Sequence, residues 1–249
     1  MKLIKNIKSP NFNSRNKKKV KFIIIHYTAL KNYKEAISFL CNPKNNVSSH
    51  FLITQKGDIY NLVDVNKRAW HAGLSYWNGY RDLNSISIGI ELDFSYSNKN
   101  NKYSQKMITA LIKTIKKLKE IYNIKDKYIL GHSDIAPFRK IDPGPKFPWY
   151  KLYSANLGFN PIKNKSIKNV SIIRWFTKNK VLTRKDIALF ILNYIGYDIA
   201  DAKTNKKSFS NLVLIYQNHY IQNNPNGKID KNTFDFLTLH FLNLVLTKN

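Results

Sequence analysis

The chain has 249 residues, 43% of them hydrophobic and 13% aromatic, a composition that supports a folded core and excludes a disordered chain. Lysine and arginine number 42 against 15 aspartates and glutamates, but arginine occurs only at 15, 68, 81, 139, 174 and 184, and the lysines are scattered. This reads as a solvated surface, with general attraction to anionic polymers such as wall or nucleic acid as the alternative. No specific nucleic-acid partner is expected, because no helix-turn-helix, zinc-finger or aromatic-basic motif accompanies the charge.

No apolar run approaches the roughly 20 residues that span a bilayer, so no transmembrane segment is expected. Met1 to Lys8 is basic but lacks the apolar stretch of an export signal. The default expectation is a cytoplasmic protein, with a periplasmic or wall-associated location as the alternative. Cys41 is the single cysteine, so no internal disulfide forms, and it reads as a small buried hydrophobe at a helix end.

In chain order, Val20 to Ile25 is a continuous β-branched apolar run, as in a strand buried on both faces. Tyr33 to Cys41 has helical spacing. Phe51-Leu52-Ile53 and Ile59 to Val63 flank Lys56-Gly57-Asp58, the pattern of a hairpin. Ile86 to Leu92 reads as a strand. Ser104 to Tyr122 is an amphipathic helix opened by Ser104, with apolar residues at 107, 108, 111, 112, 115, 118, 121 and 122. Tyr128 to Leu130 is a last short strand. Between 133 and 150, Pro137, Pro143, Pro145 and Pro148 argue against any helix. Residues 161–169 look like a linker, and Asp186 to Tyr194, Phe209 to Tyr220 and Thr233 to Leu246 read as amphipathic helices. The expected architecture is α/β, a mixed sheet flanked by helices over 1–160, followed by a small all-α domain over 170–249.

Three of these strands end in a reactive group: His26, Glu91 and His132. If the strands run parallel, their carboxyl ends share one sheet edge, where α/β proteins place their sites. The proline-rich loop after Ser133 would cross that edge carrying Lys140 and Asp142. Two imidazoles and a carboxylate suit zinc and leave a fourth position for water. Taken singly, each residue has a plainer reading: a polar cap at a strand end for the histidines, a surface carboxylate for Glu91, a turn residue before proline for Asp142. Spacing alone does not choose, and no His-Glu-x-x-His signature is present.

A collinear set of segments does. Ile24-Ile25-His26-Tyr27-Thr28, Val47-Ser48-Ser49-His50-Phe51, Ala69-Trp70-His71-Ala72-Gly73, Leu83-Asn84-Ser85-Ile86-Ser87-Ile88-Gly89-Ile90-Glu91, Gly131-His132-Ser133-Asp134-Ile135-Ala136-Pro137 and Arg139-Lys140-Ile141-Asp142-Pro143-Gly144-Pro145 together resemble the AmpD/AmiD type of N-acetylmuramoyl-L-alanine amidase, which shares its fold with peptidoglycan-recognition proteins. The resemblance covers roughly residues 8–150. It implies one catalytic Zn²⁺ held by His26, His132 and Asp142, Glu91 as general base, and Lys140 stabilising the oxyanion. It places His50 and His71 along the cleft, as substrate contacts or supporting residues against a structural hydrogen bond. It leaves Trp70 open between sugar platform and core, and gives Asn84 a place before the Glu91 strand. The implied substrate is peptidoglycan or a muropeptide, cut at the lactyl–L-alanine amide by a monomer. The alternative is a non-catalytic recognition protein on the same fold, which the presence of all five catalytic candidates argues against. Ile215 to Tyr220 with Asn226 to Thr233 resembles a three-helix peptidoglycan-binding module. His219 and His240 match no zinc motif and read as ordinary helical residues.

Overall fold

Strands form where the apolar runs predict them, and three further short ones among the described residues, Leu3–Ile4, Phe12–Ser14 and Lys67–Ala69, come from segments with no clear period. In this computed structural model, residues 2–97, 102–162, 178–179 and 182–246 are described, the side chain of 246 excepted. The strands are β1 (Leu3–Ile4), β2 (Phe12–Ser14), β3 (Phe22–Tyr27), β4 (Phe51–Ile53), β5 (Ile59–Asn61), β6 (Lys67–Ala69), β7 (Ser87–Leu92) and β8 (Ile129–Gly131). A six-stranded sheet has the order β1-β5-β4-β7-β3-β8, and β2 pairs with β6 as a separate ribbon. β3 lies between β7 and β8, parallel to both, and β4 is parallel to β7. The β4–β5 hairpin is antiparallel, as its turn residues predict.

The sheet and its helices belong to a first compact unit, residues 1–75, 81–132 and 146–159. Helix α1 (Tyr33–Cys41) starts at Asn32, whose side chain accepts from the N–H groups of Lys34 and Glu35. Helix α2 (Gln105–Tyr122) starts at Ser104, whose hydroxyl accepts from Met107 N–H at 3.1 Å. Ile23, Ile25, Phe51, Ile53, Ile88, Ile90 and Leu92 pack with Met107, Ile108, Leu111 and Ile115 of α2 in one core. Leu52 packs on the other side with Ala36 and Leu40 of α1. Because side chains alternate across a strand, His26, Gly89 and Glu91 fall out of step with the α2-facing set and share the opposite face.

A second compact unit comprises residues 76–80, 133–145 and 160–249. It contains α3 (His132–Ile135, from its second residue), and further along the chain α5 (Arg184–Ile195), α6 (Ala200–Thr204), α7 (Lys206–Tyr216), a π-helical segment Gln217–Ile221 and α8 (Lys231–Leu246). Thr183 and Asp186 form a capping box at the start of α5. The buried Gln217 organises the Asn226-Gly227 turn: its Oε1 accepts from both backbone N–H groups at 2.8 Å, and its Nε2 donates to Thr233 Oγ1 at 2.9 Å. Of the expected linker, residues 163–169 lie outside the described residues, as do 170–177 at the start of the expected helical domain.

Four expectations need correction. The proline-rich stretch does hold helix: the single turn α3 ends two residues before Pro137, and α4 (Trp149–Ser154) begins just after Pro148, positions where proline removes no helical hydrogen bond. Cys41 is half-buried rather than buried, because it closes the last turn of α1. Ile121, counted on the apolar face of α2, is 60% exposed; it sits in the final turn, off the stripe of Leu111, Ile115 and Leu118. His219 is no ordinary α-helical residue, since it lies in the π-helical segment and is buried.

Candidate metal centre

Parallel pairing brings the strand ends together as predicted. His26 on β3 stands opposite Glu91 on β7, and Ile25 opposite Gly131 on β8, so His132 emerges beside His26. Ser133 N–H donates to the carbonyl of Asp142 at 2.8 Å, which folds the loop back on itself and returns Asp142 to the neighbourhood of His132. One ligand atom each from His26, His132 and Asp142, all three buried, lies within 4.8 Å of the others.

The hydrogen bonds behind these residues fix which nitrogen faces inward. Ser87 Oγ donates its only proton to Leu83 O at 2.6 Å, so it accepts from His71 Nε2–H at 3.1 Å. Burial, with His26 and His50 nearby, holds the His71 pKa well below its usual value, so its ring is neutral and Nδ1 carries a lone pair. That lone pair, 3.0 Å from His26 Nε2, makes His26 the donor. His132 Nε2 donates to Ala72 O at 3.1 Å. In the neutral rings both Nδ1 atoms are therefore acceptors, and they stand 3.0 Å apart. Two lone pairs facing each other repel unless a cation lies between them. Ligand atoms around a tetrahedral zinc with bonds of about 2.0 Å stand about 3.3 Å apart, close to the spacing of the two Nδ1 atoms, and Asp142 offers a carboxylate oxygen within 4.8 Å as the third donor.

The supporting loop is itself held. Asn84, buried in the turn Leu83–Ile86, accepts with Oδ1 from the N–H groups of His71 and Ala72 at 3.0 and 2.7 Å. It thus places both the partner of His26 and the carbonyl that orients His132. Gly89 has no Cβ because the His71 ring occupies that space.

His50 is fully buried; its Nδ1 accepts from Gly89 N–H at 3.0 Å, and its Nε2 lies 3.1 Å from Lys67 O and 2.7 Å from Arg15 Nη2. Burial first, and then the Arg15 guanidinium, pull its pKa down to about 3. Arg15 is buried as well and donates to the carbonyls of Val65, Asn84, Ser85 and Ser87, while burial lowers its own pKa to about 10. Trp70 is half-buried, with Nε1–H donating to Asn13 Oδ1 at 3.1 Å. Glu91 and Lys140 are half-buried; Lys140 N–H donates to Ala136 O at 2.9 Å, within the loop that carries Asp142.

Residues 16–145 match the N-acetylmuramoyl-L-alanine amidase family Amidase_2. The chain belongs to this family. The amidase is 32% identical to N-acetylmuramoyl-L-alanine amidase AmiD of Escherichia coli, over 86% of this chain and 80% of that one. It is 42% identical to 1,6-anhydro-N-acetylmuramyl-L-alanine amidase AmpD of E. coli, over 43% of this chain and 56% of that one. Among solved structures, AmpDh3 of Pseudomonas aeruginosa superposes with a TM-score of 0.76 at 30% identity, covering 94% of each chain. The complex of E. coli AmiD with anhydro-N-acetylmuramic acid-L-Ala-D-gamma-Glu-L-Lys superposes with a TM-score of 0.74 at 27% identity, covering 96% of this chain and 93% of that one. The mixed sheet with flanking helices and the helical C-terminal region match these structures. The amidase therefore acts on peptidoglycan or a peptidoglycan-derived substrate. No helix among the described residues is long and apolar enough to cross a membrane.

Sequence reasoning gave no role to Ser87, Arg15 or the Ala72 carbonyl. A signal existed for Ser87, a lone hydroxyl inside the apolar run of β7. None existed for a backbone carbonyl, whose partner is 60 residues away.

Proposed function

We propose that the amidase is zinc-dependent and hydrolyses the amide between the lactyl group of N-acetylmuramic acid and L-alanine. The observation that carries this reading is the convergence of the Nδ1 atoms of His26 and His132, 3.0 Å apart, with a carboxylate oxygen of Asp142. His26, His132 and Asp142 would hold the ion. Zinc, when bound, acidifies a water and polarises a carbonyl oxygen.

The protein's own groups do the rest. The Glu91 carboxylate, in register with His26, takes a proton from the attacking water and passes it to the departing amide nitrogen. Lys140 Nζ donates to the oxyanion as negative charge develops on the former carbonyl oxygen. His71, Ser87 and the Ala72 carbonyl hold the two imidazoles in the tautomer that turns Nδ1 inward. We assign His50, His71 and Asn84 to support rather than substrate contact, because all three are buried and hydrogen-bonded within the protein. Trp70 remains the candidate platform for sugar. One chain supplies every candidate ligand, as a monomeric enzyme requires. The helical unit, through the resemblance of Ile215 to Thr233 to a peptidoglycan-binding module, is assigned to wall contact. In the cytoplasm the substrate would be recycled muropeptides; in a periplasmic or wall-associated location it would be the wall that the helical unit contacts.

The test is incubation of the full chain with anhydro-N-acetylmuramyl-tripeptide, with mass spectrometry of the products. Release of anhydro-N-acetylmuramic acid and free tripeptide, stopped by a chelator and restored by Zn²⁺, is expected. Zinc-loaded protein that releases neither would overturn the reading.

A further inference from the structure

Among the buried polar groups of the second unit, Asp134, Tyr197 and His219 form a cluster that the proposed chemistry does not use. Asp134 is 1% exposed, Tyr197 is fully buried and His219 is 2% exposed. The Asp134 carboxylate accepts from Tyr197 Oη–H through Oδ1 and from His219 Nδ1–H through Oδ2, each at 2.7 Å. Asn211 of α7 donates to the carbonyl of Pro137 at 2.6 Å. Three side chains from residues 197–219 thus grip the four residues 134–137. That segment begins two residues after His132 and ends three before Lys140.

The grip is built with care for geometry. Tyr197 follows Gly196, which closes α5 at φ +137°, where a Cβ would stand 2.6 Å from the Trp77 ring. Trp77 packs edge-on against Tyr197 with ring centroids 4.8 Å apart. The neighbouring backbone is tied in as well: Asn78 N–H donates to Gly196 O and Tyr76 N–H to Ile135 O, both at 2.8 Å. His219 sits in the π-helical segment, a widened turn that re-aims side chains and recurs at functional positions. Its ring stacks on Tyr220 with centroids 3.9 Å apart. Burial and the neighbouring Asp134 push the Tyr197 pKa well above its usual value, so the hydroxyl stays a donor.

A carboxylate buried this deeply is stable only if its oxygens are paired. Here the Tyr197 and His219 donors come from the helical region, not from the sheet. Asp134 shares its helical turn with His132, and Ser133 N–H holds the Asp142 carbonyl. Displacing Asp134 therefore moves both loop-borne ligands.

We infer that Tyr197 and His219 are positioning residues for the metal centre, holding through Asp134 the loop that presents His132, Lys140 and Asp142. The helical C-terminal region is then part of the catalytic apparatus and not only a tether to the wall. This rests on the assignment of His132 and Asp142 as zinc ligands.

The experiment uses the full chain as Tyr197→Phe, His219→Leu and His219→Asn. Asparagine is chosen because its Nδ2 can take the place of the imidazole Nδ1–H. Zn²⁺ affinity of the metal-free protein is measured by competition with a chromophoric chelator, and kcat and KM are measured on the anhydro-muramyl-tripeptide. Tyr197→Phe and His219→Leu are expected to weaken Zn²⁺ binding and lower kcat by about 10- to 100-fold, the usual cost of losing an outer-shell partner. KM should stay near the wild-type value, and His219→Asn should recover most of both losses. Tyr197→Phe removes a single oxygen atom, so it keeps the test open if His219→Leu fails to fold. Folded variants with lower melting temperatures but wild-type Zn²⁺ affinity and kcat would overturn the inference in favour of a purely structural cluster. Wild-type protein that binds no Zn²⁺ would instead overturn the assignment of the ligands on which it rests.

Discussion

A Cβ built on Gly89 would lie 2.5 Å from Cγ of His71. The missing side chain on β7 is the space in which the partner of His26 resides, two residues before Glu91 on the same strand. A glycine there weakens the strand slightly, and the close approach of His71 explains why it is present.

Gly89→Ala is therefore expected to force His71 off its position. The overpacking should cost about 1–3 kcal/mol of stability, read as a shift in the urea midpoint. Zinc retention should fall with it, because His26 Nε2–H loses its acceptor. An alanine variant with wild-type midpoint and zinc content would show that the ring has room elsewhere.

Removing a ligand should remove the metal. His26→Ala, His132→Ala and Asp142→Ala are each expected to fall well below the one Zn²⁺ per chain expected of the wild type, by elemental analysis. Two remaining ligands do not make a closed site. Full retention in all three would place the ion elsewhere.

Binding and turnover should separate at Glu91 and Lys140. Glu91→Gln keeps the shape of the side chain but not its basicity, so zinc content should hold while kcat drops by about 10²-fold or more. Lys140→Ala should also keep the metal and lose rate by about 10²- to 10³-fold, as for one oxyanion donor removed. Wild-type turnover by Glu91→Gln would refute the assigned base.

His50 predicts a pH dependence of stability. Its folded pKa is depressed to about 3 from an ordinary 6.5, so the fold favours the neutral ring, which accepts from Gly89 N–H. This contribution is fully present above pH 6.5 and is lost as pH falls from there toward 3. For this one proton, the folding equilibrium should weaken by about tenfold per pH unit across that window. Unfolding curves of wild type and His50→Gln, taken at intervals between pH 7.5 and 4, should converge toward acid. Parallel curves would show that His50 protonates freely in the folded state.

The sequence alone determined the strand ends and the main helices of this protein. A continuous apolar run that stops at His26, a second that stops at Glu91 and a third at His132 are local patterns, and so is the Ser104 cap of α2. Local patterns survive because propensity and side-chain period act between near neighbours. The prolines around α3 misled for the same reason: they forbid a helix through them, not a single turn that ends before Pro137. What only the tertiary structure decided are pairings between distant residues. His26 meets His132 across 106 positions, and His219 meets Asp134 across 85. The tautomers of His26 and His132 depend on which group stands behind each ring, and a backbone carbonyl such as that of Ala72 leaves no mark in the residue type. His219 looked like any helical histidine because its partner was set by how the helices pack around residues 133–145, a matter of three-dimensional proximity that no spacing along the chain encodes.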